Sequence, residues 1–218
     1  MDIKFADKKN VVSLISSLGK DFAVLKNPDY VFPEYEICPL SPQTELPLKD
    51  LAAIVMDMDG TTTTTETLCL HSLEYMVRCI TGRMSQDKWQ GLDAIIDYPH
   101  IIGNSTTRHV EYLVRTYQTC IIGENLERSF LSAALWTLIF GRDQRRIAEV
   151  RNNLIHFGYA AVLSDPEIVH TMPEEDYPME KLAHIAAKYI KPGAHRKFSQ
   201  MVRMAIDIYY QRYHEILA

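Results

Sequence analysis

The sequence lacks several features that mark specialised classes of protein. Its 23 lysines and arginines form no block in the 218-residue chain, and the net charge is −5. We therefore expect neither a nucleic-acid surface nor a basic membrane-binding surface. No apolar stretch approaches the roughly 20 residues of a membrane span. The charged opening "MDIKFADKKN" lacks the apolar segment of a signal peptide.

The cysteines and histidines follow no metal-ligand pattern. The four cysteines, Cys38, Cys69, Cys79 and Cys120, form no CxxC pair, and the eight histidines form no HExxH motif. We interpret the cysteines as buried, reduced thiols of a cytoplasmic protein. The hydrophobic fraction of 47% and the charged fraction of 23% are typical of a globular protein with one domain or two small ones.

Most of the chain has the spacing of amphipathic helices, with apolar residues recurring every three or four positions. By contrast, Asn27–Asp50 contains half of the ten prolines and is predicted to be an extended, irregular surface connection. The predicted helices are Asn10–Leu18, Glu66–Ile80, Asp87–Ile96, Asn104–Tyr117, Asn125–Phe140, Asp143–Phe157, Pro178–Ile190 and Ala194 to the end.

One stretch, "IVMDMDGTTTTTE" at Ile54–Glu66, joins an apolar run to two acids. Leu51–Met56 is predicted to be a buried strand, and Asp57 and Asp59 follow its carboxyl end, where open α/β sheets bind their ligands. Residues i and i+2 of an extended chain point the same way, so the two carboxylates repel each other unless they share a cation or a proton. Hard oxygen donors of this kind suit Mg²⁺.

A small turn follows the two acids. At Gly60 and Thr61 the backbone N–H groups are free to face an anion. A divalent cation beside a carboxylate and an anion-holding turn is an arrangement for phosphoryl transfer. The alternative is that Asp57 and Asp59 only begin a turn and cap the helix that follows.

The same stretch resembles motif I of the haloacid dehalogenase (HAD) superfamily, in which an apolar strand precedes DxDGT or DxDGV. The resemblance implies that Asp57 attacks phosphorus and becomes a phosphorylated aspartate, while Asp59 protonates the leaving oxygen and then deprotonates water. It also implies that the Asp57 carboxylate and the Asp59 backbone carbonyl hold Mg²⁺. The N–H groups of Met58 and Asp59 would contact the phosphoryl oxygens. The acid at position 59 favours phosphate esters as substrates.

The resemblance also implies a fold. The expected class is α/β but predominantly helical, with a HAD-like core strand, a large inserted helical cap and an incomplete core. The expected segments are 1–65 with motif I, a cap over 66–190 and a return helix over 191–218. The candidate substrate-facing cap residues are Glu66, Arg83, Asn104, Thr107, Arg108 and His109. For Arg108 and His109, a helix-surface or capping role is the alternative.

The later HAD motifs are not recognisable. Ser164, at the end of "YAAVLSD", is a candidate phosphate-binding residue if this run is a strand, but the run fits an alanine-rich helix or turn equally well. Pro192–Gly193 resembles the turn that leads from cap to core, and also an ordinary helix–helix turn. The helical pattern still runs at "QRYHEILA", which fits a frayed natural end and equally the N-terminal part of a longer protein.

The function implied by the resemblance is a Mg²⁺-dependent phosphatase-type hydrolase, or the N-terminal portion of one, acting on a small phosphorylated metabolite. A second copy of the chain is a further candidate partner, since a truncated core would leave apolar surface to cover. One alternative is a non-catalytic HAD-like binding or regulatory module. Another is a glycosyltransferase, but the proline-rich segment before the motif supplies no nucleotide-binding βαβ unit.

Overall fold

A computed structural model describes residues 11–17, 21–27, 34–40, 56, 65–85, 87–169, 179–191, 193 and 195–217. The chain divides into two compact units, Met1–Thr65 and Glu66–Ala218, each of which is described by itself. The described residues are predominantly helical, as the sequence predicted, and include one small sheet. The functional roles assigned to segments 1–65, 66–190 and 191–218 stay predictions.

In the first unit, the described residues form a short helix, α1 (Val11–Ser17), and two antiparallel strands, β1 (Phe22–Lys26) and β2 (Tyr35–Pro39). Phe22 pairs with Pro39, and Lys26 with Tyr35. The prediction of an irregular connection is therefore wrong over β2. A proline is tolerated at the end of this strand because each strand of a two-stranded sheet has an edge that needs no donor.

The predicted strand Leu51–Met56 lies outside the described residues except for Met56. The side chain of Met56 is 64% exposed, contrary to the burial predicted for it.

In the second unit, the described residues form helices joined by turns. The regular elements are α2 (Glu66–Thr81), α3 (Tyr98–Ile101), α4 (Thr106–Thr116), a 3₁₀ helix (Gln118–Cys120), α5 (Gly123–Phe140), α6 (Gln144–His156), a second 3₁₀ helix (Ala160–Ser164), α7 (Pro166–Val169), α8 (Met179–Ala187) and α9 (Phe198–Leu217).

The core of this unit is arranged around α9, which packs against α2, α4 and α5. From Val202 to Tyr209 every residue of α9 is buried, as expected of a helix enclosed by others. In the stripe on α2 predicted from its spacing, Leu70 is half-buried and the other residues are fully buried: Leu73, Met76, Val77 and Ile80. Each such side chain contributes roughly 1.5–3 kcal/mol of hydrophobic stabilisation.

The predicted helix Asp87–Ile96 is wrong, because side chains satisfy the backbone of this segment in place of helical hydrogen bonds. The Asp93 carboxylate accepts hydrogen bonds from the N–H groups of Ile95 and Ile96 at 2.7 and 2.8 Å. Leu92 N–H donates to Glu74 Oε1 at 2.9 Å. An aspartate that bonds nearby N–H groups in this way stabilises a turn and competes with a helix.

In the part of the chain that the structure describes, no helix combines the length and the apolar character required to cross a membrane.

Candidate functional site

The residues that carry the predicted chemistry lie mostly outside the described part of the chain. Asp57, Met58, Asp59, Gly60 and Thr61 are all in this group. The predicted nucleophile, acid–base and Mg²⁺ roles therefore stay predictions. Among the described residues, no group of three or more histidine, cysteine, aspartate or glutamate side chains is arranged to hold a metal ion.

Ser164 is the last residue of the 3₁₀ helix Ala160–Ser164, and its side chain is exposed. The strand interpretation of "YAAVLSD" is therefore wrong, and the helix or turn alternative describes this run. The backbone turns tightly because Val162 N–H and Asp165 N–H bond the carbonyls three residues earlier. Phosphate binding by Ser164 stays a prediction.

The predicted substrate-facing residues differ in their exposure and in their contacts. Glu66 opens α2 and Arg108 lies in the first turn of α4, and both side chains are exposed. Arg83 donates a hydrogen bond from Nη2 to Cys120 Sγ at 3.1 Å. His109 differs from these, because it is only 6% exposed.

His109 takes part in a cluster with Cys69 and Tyr209, called here the thiol cluster. His109 Nδ1 lies 3.9 Å from Cys69 Sγ, and the Tyr209 hydroxyl donates to the same sulfur at 3.4 Å. The three side chains come from α4, α2 and α9, which pack together in the core. Because the hydroxyl is a hydrogen-bond donor and the imidazole a proton acceptor, this arrangement can deprotonate a thiol and stabilise its anion.

The position of each member follows from the helical repeat. Cys69 precedes the buried Leu73 by one turn, and His109 precedes the buried Leu113 by one turn. On each of the three helices, a polar residue therefore continues a stripe of apolar residues. This is the signal that the sequence interpretation missed.

The electrostatics of the thiol cluster favour a neutral imidazole. Burial lowers the pKa of His109, and the nearby backbone of Asn104 and Ile101 and the carboxylate of Glu66 offset this effect only in part. Within the described residues, His109 Nε2 has no hydrogen-bond partner. Burial also raises the pKa of Tyr209, so its hydroxyl keeps its proton. The cluster thus holds a neutral base and a neutral donor on one sulfur.

In a second polar group, called here the Asp207 cluster, both oxygens of the central carboxylate are paired with protein groups. The Asp207 side chain is fully buried; its Oδ1 accepts from Arg146 Nη2 at 2.5 Å, and its Oδ2 accepts from Asn153 Nδ2 at 2.6 Å. Arg203 Nε donates to Asn153 Oδ1 at 2.5 Å, and Glu149 forms an ion pair with Arg146. Both carboxylate oxygens of Asp207 are therefore used in linking α6 to α9, a structural role.

Glu127, Tyr159 and Arg196 form a third buried group. The Tyr159 hydroxyl donates to Glu127 Oε2, and the Arg196 guanidinium lies 2.7 Å from Glu127 Oε1. Glu127 and Tyr159 are each 1% exposed. This group connects α5 to the segment before α9, and its carboxylate is likewise paired.

A pocket of about 180 Å³ lies between the end of α5 and the end of α9. Burial lowers the pKa of His214, one of its lining residues. The other lining residues are Trp136, Phe140, Arg142, Asp143 and Leu217. The Asp143 carboxylate also caps α6, since it accepts from the N–H groups of Arg145 and Arg146. The pocket is therefore mainly apolar, and the carboxylate of Asp143 in its lining is already hydrogen-bonded to the start of α6.

The cysteines are less buried than the sequence interpretation predicted. None of the four, all of them among the described residues, forms a disulfide, and all are half-buried. Burial raises the pKa of Cys79, which keeps this side chain a thiol.

The chain was compared with protein-family models, curated proteins and solved structures, and no match was found in any of the three. The resemblance to the HAD superfamily therefore depends on the residues of Ile54–Glu66 themselves.

Proposed function

We propose that this protein is a Mg²⁺-dependent phosphatase-type hydrolase of the HAD type, or the N-terminal portion of one, acting on a small phosphorylated metabolite in the cytoplasm. The observation that carries the proposal is the sequence "IVMDMDGT", in which an apolar run ends in two aspartates and a glycine. The helical unit that begins at Glu66, directly after the threonine run, supports it, since a helical cap is expected at this point.

The chemistry of the donor set fits Mg²⁺. Asp57 and Asp59 supply carboxylate oxygens two residues apart, and a glycine follows them. Such hard oxygen donors suit a small divalent cation, which keeps several of its waters and also binds substrate phosphate. When bound, the cation would neutralise charge on the phosphoryl oxygens.

The proposed reaction has two steps. The Asp57 carboxylate attacks phosphorus, the bond from phosphorus to the ester oxygen breaks, and Asp59 donates a proton to that leaving oxygen. Asp59 then takes a proton from water, which attacks phosphorus and releases inorganic phosphate and the Asp57 carboxylate. Each proton that Asp59 gives in the first step is recovered in the second.

A second candidate is a non-catalytic HAD-like binding or regulatory module. It is favoured by the secondary structure, since the described residues after Pro39 include no strand. The serine or threonine, the lysine and the acid pair that complete a HAD site normally follow strands. Without that lysine and acid pair, the charge of the phosphorylated aspartate has less stabilisation.

A titration with Mg²⁺ followed by hydrolysis of p-nitrophenyl phosphate separates the candidates. The variant is Asp57→Asn, and the matched control is Asp87→Asn, which changes an exposed aspartate. The hydrolase predicts Mg²⁺ binding and Mg²⁺-dependent phosphate release that Asp57→Asn removes and Asp87→Asn preserves. Binding that needs Asp57 but gives no release supports the non-catalytic module. Unchanged binding and hydrolysis in Asp57→Asn contradict both.

A further inference from the structure

We propose that Cys69 is a modification site: a nucleophilic thiol that His109 deprotonates and Tyr209 stabilises, and that hydrogen peroxide converts to a sulfenic acid. The proposal stands on contacts within the helical unit and does not depend on Asp57. It goes beyond phosphate-ester hydrolysis, because the reacting atom is sulfur and the co-reactant is a peroxide.

The position of His109 allows it to act as the base. His109 Nδ1 lies 3.9 Å from the sulfur, a hydrogen-bond distance for a sulfur atom. The imidazole is held in the core by α4 and is 6% exposed, so it has few alternative orientations. A neutral imidazole can accept the thiol proton; burial lowers the pKa of His109, which keeps the ring neutral near pH 7 and also makes it a weaker base.

The hydrogen-bond donor is supplied by α9. The Tyr209 hydroxyl donates to Cys69 Sγ at 3.4 Å, and the ring is 3% exposed. A donor that faces the sulfur stabilises a thiolate more than a thiol, because the interaction with a charged acceptor is stronger. Both contacts therefore favour the thiolate: His109 removes the proton of Cys69, and Tyr209 stabilises the charged sulfur.

Cys69 is half-buried, so a small oxidant has a partly open side from which to approach. The other three cysteines differ in their surroundings. Cys79 is kept protonated by burial, and Cys38 lies in β2. Cys120 accepts a hydrogen bond from Arg83, a cation that would stabilise a thiolate but cannot take up the thiol proton. The pairing with a histidine distinguishes Cys69.

The reaction is balanced with hydrogen peroxide as the oxidant. His109 takes the thiol proton, and the sulfur of Cys69 attacks one peroxide oxygen. The S–O bond forms as the O–O bond breaks, and the leaving hydroxide takes the proton from the imidazolium to become water. Sulfur is oxidised by two electrons, peroxide is reduced by two, and the product is the reversible first stage of thiol oxidation.

The experiment compares all four thiols in one folded chain. The full chain is treated with hydrogen peroxide and dimedone, which traps sulfenic acids, and separately with iodoacetamide, and adducts are counted by peptide mass spectrometry. We expect Cys69 to carry most of the dimedone adduct and to alkylate fastest. Cys69→Ser should remove that adduct without raising any other.

Two variants test the partners. His109→Asn keeps a polar atom near the Nδ1 position without its basicity, and we expect it to slow alkylation of Cys69 about tenfold or more. Tyr209→Phe removes only the hydroxyl and should slow it about threefold. The rates at Cys38 and Cys120 should stay unchanged. Cys79 reports on folding, because burial raises its thiol pKa in the packed helical unit and opening of the unit would remove that effect.

Two results would overturn the proposal. One is a wild-type chain in which Cys69 reacts no faster than Cys38 and Cys120. The other is an unchanged Cys69 rate in both variants while Cys79 stays protected. If His109→Asn makes Cys79 reactive, the proposal is tested by two other measurements. These are the order of reactivity of the four thiols in the wild-type chain and the rate at Cys69 in Tyr209→Phe.

Discussion

The thiol cluster and the Asp207 cluster lie in the same helical unit and both involve α9, yet they differ in how their polar atoms are used. In the Asp207 cluster, both carboxylate oxygens accept hydrogen bonds from groups on α6, at 2.5 and 2.6 Å. In the thiol cluster, one sulfur has a neutral base and a donor beside it, and the sulfur is half-buried. A buried carboxylate whose two oxygens are both paired holds helices together, whereas we propose that a half-buried sulfur beside a proton acceptor can react.

The largest expected effect is on the Asp207 cluster. Asp207→Ala leaves Arg146 Nη2 buried without its acceptor and removes the negative charge near Arg203, and removing one member of a buried ion pair costs about 3–5 kcal/mol. Urea denaturation followed by circular dichroism measures the loss of unfolding free energy. Asp87→Ala, at an exposed position, should change it by about 0.5 kcal/mol or less. A loss below about 1 kcal/mol for Asp207→Ala would show that the cluster is not a structural element.

A smaller effect is expected at the amide of the same cluster. Asn153→Ala removes a donor to Asp207 and an acceptor for Arg203, and leaving such buried groups unsatisfied costs about 1–3 kcal/mol. Asn152→Ala is the matched control, because the Asn152 amide donates to the Ala148 carbonyl of its own helix. Equal losses of unfolding free energy for the two variants would argue against a network that joins α6 and α9.

The smallest expected effect is on the pH dependence of stability. Burial lowers the pKa of His109, His156 and His214 in the folded chain. The unfolded chain therefore binds more protons as pH falls through the ordinary histidine pKa of about 6.5, and the unfolding free energy decreases from pH 7 to pH 5.

In His109→Asn, one of these contributions is absent, so the decrease between pH 7 and pH 5 should be smaller than in wild type. His71→Asn, at an exposed position on α2, provides the control. Denaturation curves at the two pH values measure the difference. A steeper decrease in His109→Asn would mean that the imidazole is charged in the folded chain, contrary to its role as a base in the thiol cluster.

The helices could be predicted because apolar spacing depends on residues close together in the chain. The segment predicted as Glu66–Ile80 is the helix Glu66–Thr81, and Asp143–Phe157 is the helix Gln144–His156. The prediction was wrong at Asp87–Ile96, where the Asp93 carboxylate bonds its own neighbours and Glu74 bonds the Leu92 N–H.

The polar clusters could not be predicted in the same way, because their members are distant in sequence. Arg203 precedes Asp207 by one turn of the same helix, but the groups that bond its carboxylate, on Arg146 and Asn153, are 61 and 54 residues away in sequence. Cys69 and Tyr209 are 140 residues apart. Periodicity places each residue on the buried face of its helix, but only the packing of α2, α4, α6 and α9 brings the polar groups together.

The central claim, that Asp57 is phosphorylated during hydrolysis, is tested most directly by acid quenching of the chain with p-nitrophenyl phosphate and Mg²⁺, followed by peptide mass spectrometry. Acyl phosphates, unlike phosphothreonine, are cleaved by hydroxylamine, so the neighbouring threonines can be distinguished. The account predicts a Mg²⁺-dependent, hydroxylamine-sensitive phosphoryl group on Asp57 that is absent from Asp57→Asn. Hydrolysis without this group, or a phosphoryl group that remains in Asp57→Asn, would contradict it.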